Sequence, residues 1–372
     1  MKTILYGAFG RHNFGDMLFP YILKSLLKSN SINTDIEYCD IAEADMTSHG
    51  GHNVKSITDF FDYESEVNLI QVGGHTANDC NPLAFFSQDV KKKYNSFFEQ
   101  KDFKPSYILS KKIFNKPNVF VANAVGGFSV SGANKLKEYD FVSFRSKSHY
   151  DQSSRFGLEC QFSPDCVVLL KHFYDKTISE RTSTSEAIKT LHNLHGKEYI
   201  SVQVNRGLLN QRSDKIIQNL KNIIKETRLP LVFFCAGIAP GHDSMNLYKQ
   251  KFQNSVPNDM IYFFEGTNVW DICNVISNSK FVIGTSLHVR IVSTVFNVPR
   301  VTLYSGHADN KAREFIEQWD TVSHYKDNKS LTKYIQKELK EHDYDADAKQ
   351  LKFLENEYLT KSTWINLLKC AL

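Results

Sequence analysis

The sequence predicts an α/β protein built from two doubly wound parallel sheets, and three observations carry that prediction. Short apolar runs of strand length alternate with helical patterns along most of the chain, the order that builds parallel sheets. The length of 372 residues is too great for one ordinary core and suits two domains of about 150 residues each with extra elements. Around residues 175–190 the chain becomes DKTISERTSTSEAIKT, dense in Ser and Thr and poor in large apolar side chains, which marks a boundary. The expected organisation is an N-terminal domain over 1–174, a linker and connecting helix over 175–197, a C-terminal domain over 198–328 and closing helices over 329–372.

Composition bounds the function classes. Hydrophobic residues make up 41% and charged residues 23%, as in soluble globular chains. Lys and Arg number 45 against 41 Asp and Glu, a net charge of +4 that is too small and too dispersed to argue for nucleic acid. The aromatic share of 13% is high but spread along the chain, which suits core packing and a sugar-stacking cleft alike. No window reaches the roughly 18 consecutive apolar residues of a membrane span, and the opening KTILYG reads as a strand, not a charged leader. A cytoplasmic protein is the expectation. Seven cysteines without a C-x-x-C pair read as reduced thiols, and no metal site is expected.

Ile4 to Tyr6 form the first strand, and GAFGRHNFGD over 7–16 follows as a glycine-rich turn into a helix ending near Ser29. Gly7, Gly10 and Gly15 let the backbone approach a ligand or turn with positive φ, while Asn13 and Asp16 place polar side chains at the helix mouth. The spacing is neither G-x-G-x-x-G nor a Walker loop, so a dinucleotide or ATP is poorly supported. Asn13, Gly15 and Asp16 are candidates for another ligand; a structural turn with Asp16 as a capping carboxylate is the alternative. Further strands are predicted at 36–41, 69–72, 119–122 and 141–144. Two of them end in GGHTAND (73–79) and NAVGGFS (123–129), and such loops line the C-terminal edge of a parallel sheet, where open α/β folds bind ligands. Gly74 is the candidate there, whereas Asp165 reads as a turn residue.

The second half repeats the alternation, with strands at 199–204, 231–235 and 260–264 and helices at 214–226, 244–252 and 269–277. Asp243, after GIAPGH, reads first as a loop or cap residue. Next comes FVIGTSLHVRIVSTVFNVPRVTLYSG over 281–306. Its apolar run ends at Gly284, and Thr285 and Ser286 supply a helix cap. Leu287, Ile291 and Val295 fall four apart on one helix face until Asn297 and Pro299 stop it, and 301–304 forms a strand. In this βαβ unit His288 sits where unpaired N–H groups of a first helical turn attract a phosphate or carboxylate; the alternative is that it merely covers the helix start. The closing helices over 329–372 are charged and amphipathic. Their Lys residues and Trp364 offer contact with a membrane surface, with a solvated face as the alternative. Two Rossmann-like halves with ligand-ready loops facing across a cleft describe the architecture called GT-B.

The order of motifs resembles that of the polysaccharide pyruvyl transferases. The matching residues are G-x-x-G-x-x-N-x-G-D (Gly7, Gly10, Asn13, Gly15, Asp16), V-S-F-R ending at Arg145 with Ser148 three residues on, S-P-D ending at Asp165, and VIGTSLHVRIVSTVFNVPRVTLY with Lys311 downstream. The resemblance implies a GT-B-like fold and transfer of the enolpyruvyl group of phosphoenolpyruvate onto sugar hydroxyls, leaving a pyruvate ketal and inorganic phosphate without a cofactor. Its partners would be phosphoenolpyruvate and a glycan or lipid-linked saccharide, with possible peripheral association at the inner membrane face. One departure stands out: where the family has Arg-Leu-His, this chain has Ser286-Leu287-His288. The missing Arg would have held the donor in a bidentate fork. Thr285, Ser286 and Leu287 remain as donor-binding candidates, with Arg206, Arg290 and Lys311 as possible sources of positive charge, although Arg290 starts one helical turn too far along.

The chemistry requires a general acid for the methylene carbon and a base for the acceptor hydroxyl. His288 and Asp16 are the catalytic candidates. Two other functions stay open: a GT-B glycosyltransferase using a nucleotide sugar, and a glycan-binding pseudoenzyme that lost the Arg.

Overall fold

The computed structural model describes residues 1–100, 104–304, 310–322 and 330–371. Residues 305–306, at the end of the long βαβ stretch, and Lys329 lie outside them. The chain divides into two compact units, one of Met1–Val167 with Glu355–Leu372 and one of Val168–Leu354.

The first unit contains β1 (Lys2–Tyr6), α1 (Phe14–Ser29), β2 (Asp35–Asp40), β3 (Ala44–Asp45), β4 (Asn53–Ser56), β5 (Val67–Val72), α2 (Gln88–Gln100), β6 (Pro117–Val125), α3 (Val130–Leu136), β7 (Phe141–Phe144), α4 (Lys147–Arg155) and β8 (Gln161–Phe162). Its sheet runs β3-β4-β2-β1-β5-β6-β7-β8, parallel throughout except for the short β3–β4 pair at one edge. Every residue of β5 is buried, as a central strand covered on both faces requires, so the apolar residues of VNLIQV do not follow a strict alternation and its Asn68 and Gln71 are buried with them. Gly73 ends this strand with φ +51°, and a Cβ there would fall 2.3 Å from the Phe19 ring of α1. Only glycine permits that approach.

The second unit begins with α5 (Leu170–Thr184) and α6 (Glu186–His195). It continues through β9 (Ile200–Val202), α7 (Arg206–Thr227), β10 (Leu231–Phe233), α8 (Met245–Phe252), β11 (Ile261–Phe263), α9 (Val269–Ser277), β12 (Phe281–Gly284), α10 (Leu287–Val295), β13 (Arg300–Thr302), α11 (Asn310–Trp319) and α12 (Leu331–Glu341). The sheet, β11-β10-β9-β12-β13, is wholly parallel. The chain then crosses back to the first unit within α13 (Tyr344–Lys361), and α14 (Trp364–Ala371) ends it.

The Ser/Thr-rich stretch that reads as a linker folds as α5 and α6. Leu170, Ile178, Ile188 and Leu191 are their buried apolar anchors, and polar contacts to α9 supply the rest. Arg181 Nε donates to Asp271 at 2.6 Å, Ser185 Oγ to the same carboxylate at 2.9 Å, and Asn274 Nδ2 to the Ile178 carbonyl at 2.8 Å. Trp364 is fully buried, which removes it as a membrane-surface contact. Among the described residues no helix is long and apolar enough to cross a membrane.

A buried ionic cluster ties β13 to the helices that follow it. Arg300 is 1% exposed and pairs with Asp320 and Asp347, while Asp320 also accepts from Arg290 and Asp347 from Thr321 and His342. Two guanidinium groups share one carboxylate, so each buried charge has a partner, and removal of Asp320 would leave the Arg290 guanidinium without its carboxylate. His342 Nε2 lies 3.0 Å from Asp347, and this contact with Glu338 on the other side raises the imidazole to about 9 against the opposing effect of burial. A His with a raised folded-state pKa contributes stability below its unfolded value and loses it as pH rises through the folded one. Wild-type stability, followed by urea unfolding, is therefore expected to fall between about pH 6.5 and about pH 9 at this site, and His342→Gln to lack that component of the slope.

Candidate functional site

The turn between β12 and α10 is built around a side chain from the neighbouring strand's end. Gln203, 2% exposed just past β9, turns its Oε1 to the Thr285 and Ser286 backbone N–H groups, both at 3.0 Å, and accepts the Thr285 hydroxyl at 3.2 Å. Thr285 Oγ1 in turn accepts the Asn205 N–H at 2.9 Å. Parallel pairing of β9 with β12 brings the two strand ends side by side, so both helices start at the same edge of the sheet. Asn205 caps α7 through Leu208 N at 2.8 Å, whereas the Ser286 side chain caps nothing in α10. The N–H groups of Thr285 and Ser286 are thus spent inside the protein. Those that follow, in the first turn of α10, define the anion-attracting end.

Around this mouth Thr285 is buried, Ser286 and Leu287 are half-buried, and His288 is 5% exposed at the second position of α10. Arg206 is the first residue of α7 and exposed, next to the Asn205–Thr285 link. Behind Gln203 lies Asp243, whose two oxygens accept from Gln203 Nε2 at 3.1 and 2.9 Å and from Ala236 N at 2.8 Å. Burial pushes this carboxyl up to about 7 against the hydrogen bonds from Gln203, Ala236 and Gly237 that hold it down.

One of the cationic candidates is committed elsewhere. Arg290 is 3% exposed and runs into the ionic cluster, with Nε 2.6 Å from Asp320 and Nη2 donating to the Val322 carbonyl at 2.9 Å. Lys311 sits exposed in the first turn of α11. The structure therefore brings Thr285, Ser286, Leu287, His288 and Arg206 together, and adds Gln203 and Asp243.

In the first unit the glycine-rich turn is also tied from beneath. Gly10 N donates to Asp40 Oδ2 at 2.8 Å and Ile41 N to Oδ1 at 2.6 Å, and burial raises the Asp40 carboxyl to about 6. Asn13 takes the N-cap position of α1 without a side-chain cap bond, and Gly15 is buried in the first turn. Asp16 is 5% exposed with Oδ2 3.9 Å from Arg11 Nη2, and the Arg11 guanidinium lies 4.0 Å over the Phe85 ring. Gly74, with φ +71°, accepts from Gly126 N at 2.9 Å and so joins the loops after β5 and β6. His149 Nδ1 accepts from Gly127 N at 3.1 Å. Asp165 serves as a turn residue through Val167 N at 3.0 Å and also forms a buried ion pair with Arg145. No three His, Cys, Asp or Glu side chains are grouped to hold a metal among the described residues.

Gln203, Asp40 and Asp243 are the supporting residues that sequence reasoning missed or undervalued. Gln203 did leave a signal, as the one amide in the apolar run YISVQV. Asp40 left a weaker one, a carboxylate closing a strand opposite the glycine turn.

Two parallel-sheet units, each with ligand-type turns at the C-terminal edge of its sheet, define a GT-B-like protein. Solved structures of similar fold include S. aureus MnaA with UDP (TM-score 0.57, 15% identity, 96% of this chain and 92% of that one). The UDP-GlcNAc 2-epimerase of Neisseria meningitidis bound to UDP-GlcNAc matches with a TM-score of 0.56 at 11% identity over 99% of each chain. That of Rickettsia bellii matches at 0.55 and 11% over 98% and 97%. At such identities the likeness is one of fold. No curated protein sequence matches the chain. The family model described as polysaccharide pyruvyl transferase matches residues 13–307, and the chain belongs to that family of enzymes.

Arg290 gives the site's structural boundary a direct check. Arg290→Met is expected to cost about 1–3 kcal/mol in urea unfolding, because Asp320 and the Val322 carbonyl lose its hydrogen bonds while Asp320 keeps Arg300.

Proposed function

We propose that the protein transfers the enolpyruvyl group of phosphoenolpyruvate to hydroxyls of a sugar in a cell-surface polysaccharide or its lipid-linked precursor. The observation that carries this reading is the α10 mouth, where a buried His288 stands in a helical first turn that no side chain of Ser286 caps, within the segment matched by the family. Phosphoenolpyruvate brings a carboxylate and a phosphate, and a helix N-terminus with an adjacent cation favours such charge. Arg206, at the start of the neighbouring helix, is the cation this reading uses in place of the family's Arg, with Ser286 giving one hydroxyl hydrogen bond.

In the reaction a proton adds to the methylene carbon, C2 becomes oxocarbenium-like, and a sugar hydroxyl attacks it with loss of its own proton. The C2–O bond to phosphate breaks, and a second hydroxyl closes the ketal, its proton leaving with inorganic phosphate. His288 is assigned the proton relay at the donor, and Asp16 the acceptor hydroxyl, with Asn13, Gly15 and Gly74 as acceptor-side contacts. Lys311 is retained as a secondary donor contact. Because the acceptors of this chemistry are glycan precursors, the working place is the cytoplasm, at the inner face of the membrane.

Two residues test the reading. In an assay of phosphate release from phosphoenolpyruvate with a panel of sugar acceptors, His288→Ala is expected to lower kcat by about 100-fold or more. Retention of full activity would remove His288 from the site. Ser286→Arg separates two histories of the departure: a sharp gain in activity marks Ser286 as a loss, and abolition marks a pocket rebuilt around serine. Tight binding of a nucleotide sugar by a protein that ignores phosphoenolpyruvate would favour glycosyl transfer instead.

A further inference from the structure

The two side chains behind the α10 mouth decide what charge that mouth presents. An amide oxygen and nitrogen differ little in shape, so their orientation is assigned by their partners. The Gln203 amide faces backbone N–H groups on one side and a carboxylate on the other. Its Nε2 turns to the Asp243 oxygens and its Oε1 to the Thr285 and Ser286 N–H groups. Asp243 fixes this choice, because Ala236 N also donates to it and an acceptor-only group requires a donor opposite. The turn therefore ends on a neutral oxygen, and the negative charge stays one side chain further back.

A carboxylate at position 203 would accept the same N–H groups in stronger, charge-assisted bonds. It would also neutralise the positive end of α10 at the place where a ligand anion gains from it. Bringing one negative charge a side chain's length closer to a bound anion, at an effective dielectric of about 20, weakens its affinity by about tenfold.

We propose that Gln203 and Asp243 are a positioning pair for the donor anion: Asp243 locks the Gln203 amide so that the turn is held by a neutral acceptor, which fixes the α10 mouth in place while leaving its positive end to the ligand. This rests on the anion-binding reading of that mouth. Asp243 touches neither donor nor acceptor in this arrangement and acts through Gln203.

The test uses the full chain, above the value of about 7 where Asp243 is ionised, with sulfate as the probe beside phosphoenolpyruvate. Asp243→Asn sets an amide N–H against a donor, and Gln203→Glu sets two carboxylates face to face, so each single change is expected to lower the urea midpoint. The double variant, Gln203→Glu with Asp243→Asn, restores the contact between the two side chains with its polarity reversed: the introduced glutamate accepts from Thr285, Ser286 and the introduced asparagine, whose single carbonyl is left for the Ala236 and Gly237 N–H donors. Its midpoint is expected to rise above that of either single variant while its sulfate affinity stays down by about tenfold or more. Recovery of both midpoint and sulfate affinity would show a purely structural pair and overturn the inference. A double variant no more stable than the single variants would overturn the hydrogen-bond assignment beneath it, and a wild type that binds no sulfate would overturn the mouth itself. If sulfate behaves as expected and phosphoenolpyruvate does not bind, the pair stands and the pyruvyl-transfer reading falls.

Discussion

One acceptor atom, Gln203 Oε1, holds the part of this protein on which its proposed chemistry depends. It gathers two backbone N–H groups and a hydroxyl from the β12–α10 turn, and Thr285 passes the connection on to Asn205 at the head of α7. Two helix starts are thereby held by one side chain at the edge of a parallel sheet. Such a constraint is effective because its central groups, Gln203, Thr285 and Asp243, are buried: an amide or carboxylate left without its partner there costs about 1–3 kcal/mol, so the alternatives are disfavoured together. The geometry also divides the helix end into N–H groups consumed within the fold and those that remain to meet a ligand.

The second unit uses ionic contacts in a different way at its opposite concern, stability. Arg290 extends from the very helix whose mouth forms the site, yet its guanidinium is committed to Asp320 and to the Val322 carbonyl. A single helix thus carries a ligand-facing first turn and a buried cation one turn later. Arg300 and Asp347 extend the same network to the start of α13, with His342 at its rim. Pairing of every charge in the cluster offsets a desolvation cost that no isolated member could bear.

Much of this was legible in the sequence where local signals agreed. The β12–α10–β13 unit follows directly from an apolar run, Gly284, a capping dipeptide, fourfold apolar spacing and Pro299. The alternation of strand-length apolar runs with helical patterns indicates the fold class for the same reason. The start of α7 was misplaced at 214 because the helix is kinked at Arg212, with φ −137° and ψ 27°, so residues 206–211 are out of phase with the apolar face beyond them. The stretch over 175–197 reads as a linker and connecting helix, and the Ser and Thr content of α5 and α6 reflects a cap and polar anchors on α9. Gln203 and Asp243 could be seen as polar residues but not as a pair, since forty positions separate them and only the sheet brings them together. Arg290 illustrates the converse: proximity in sequence to the helix mouth says nothing about the direction of a long side chain.

The central claim is that an anion of the phosphoenolpyruvate type is held by the first turn of α10, beyond the N–H groups that Gln203 occupies. Backbone amide chemical shifts on titration with phosphoenolpyruvate test it most directly. The account predicts large shifts at Leu287, His288 and Val289 and small ones at Thr285 and Ser286. Saturable binding that leaves the α10 amides unmoved, or no binding at all, would contradict it.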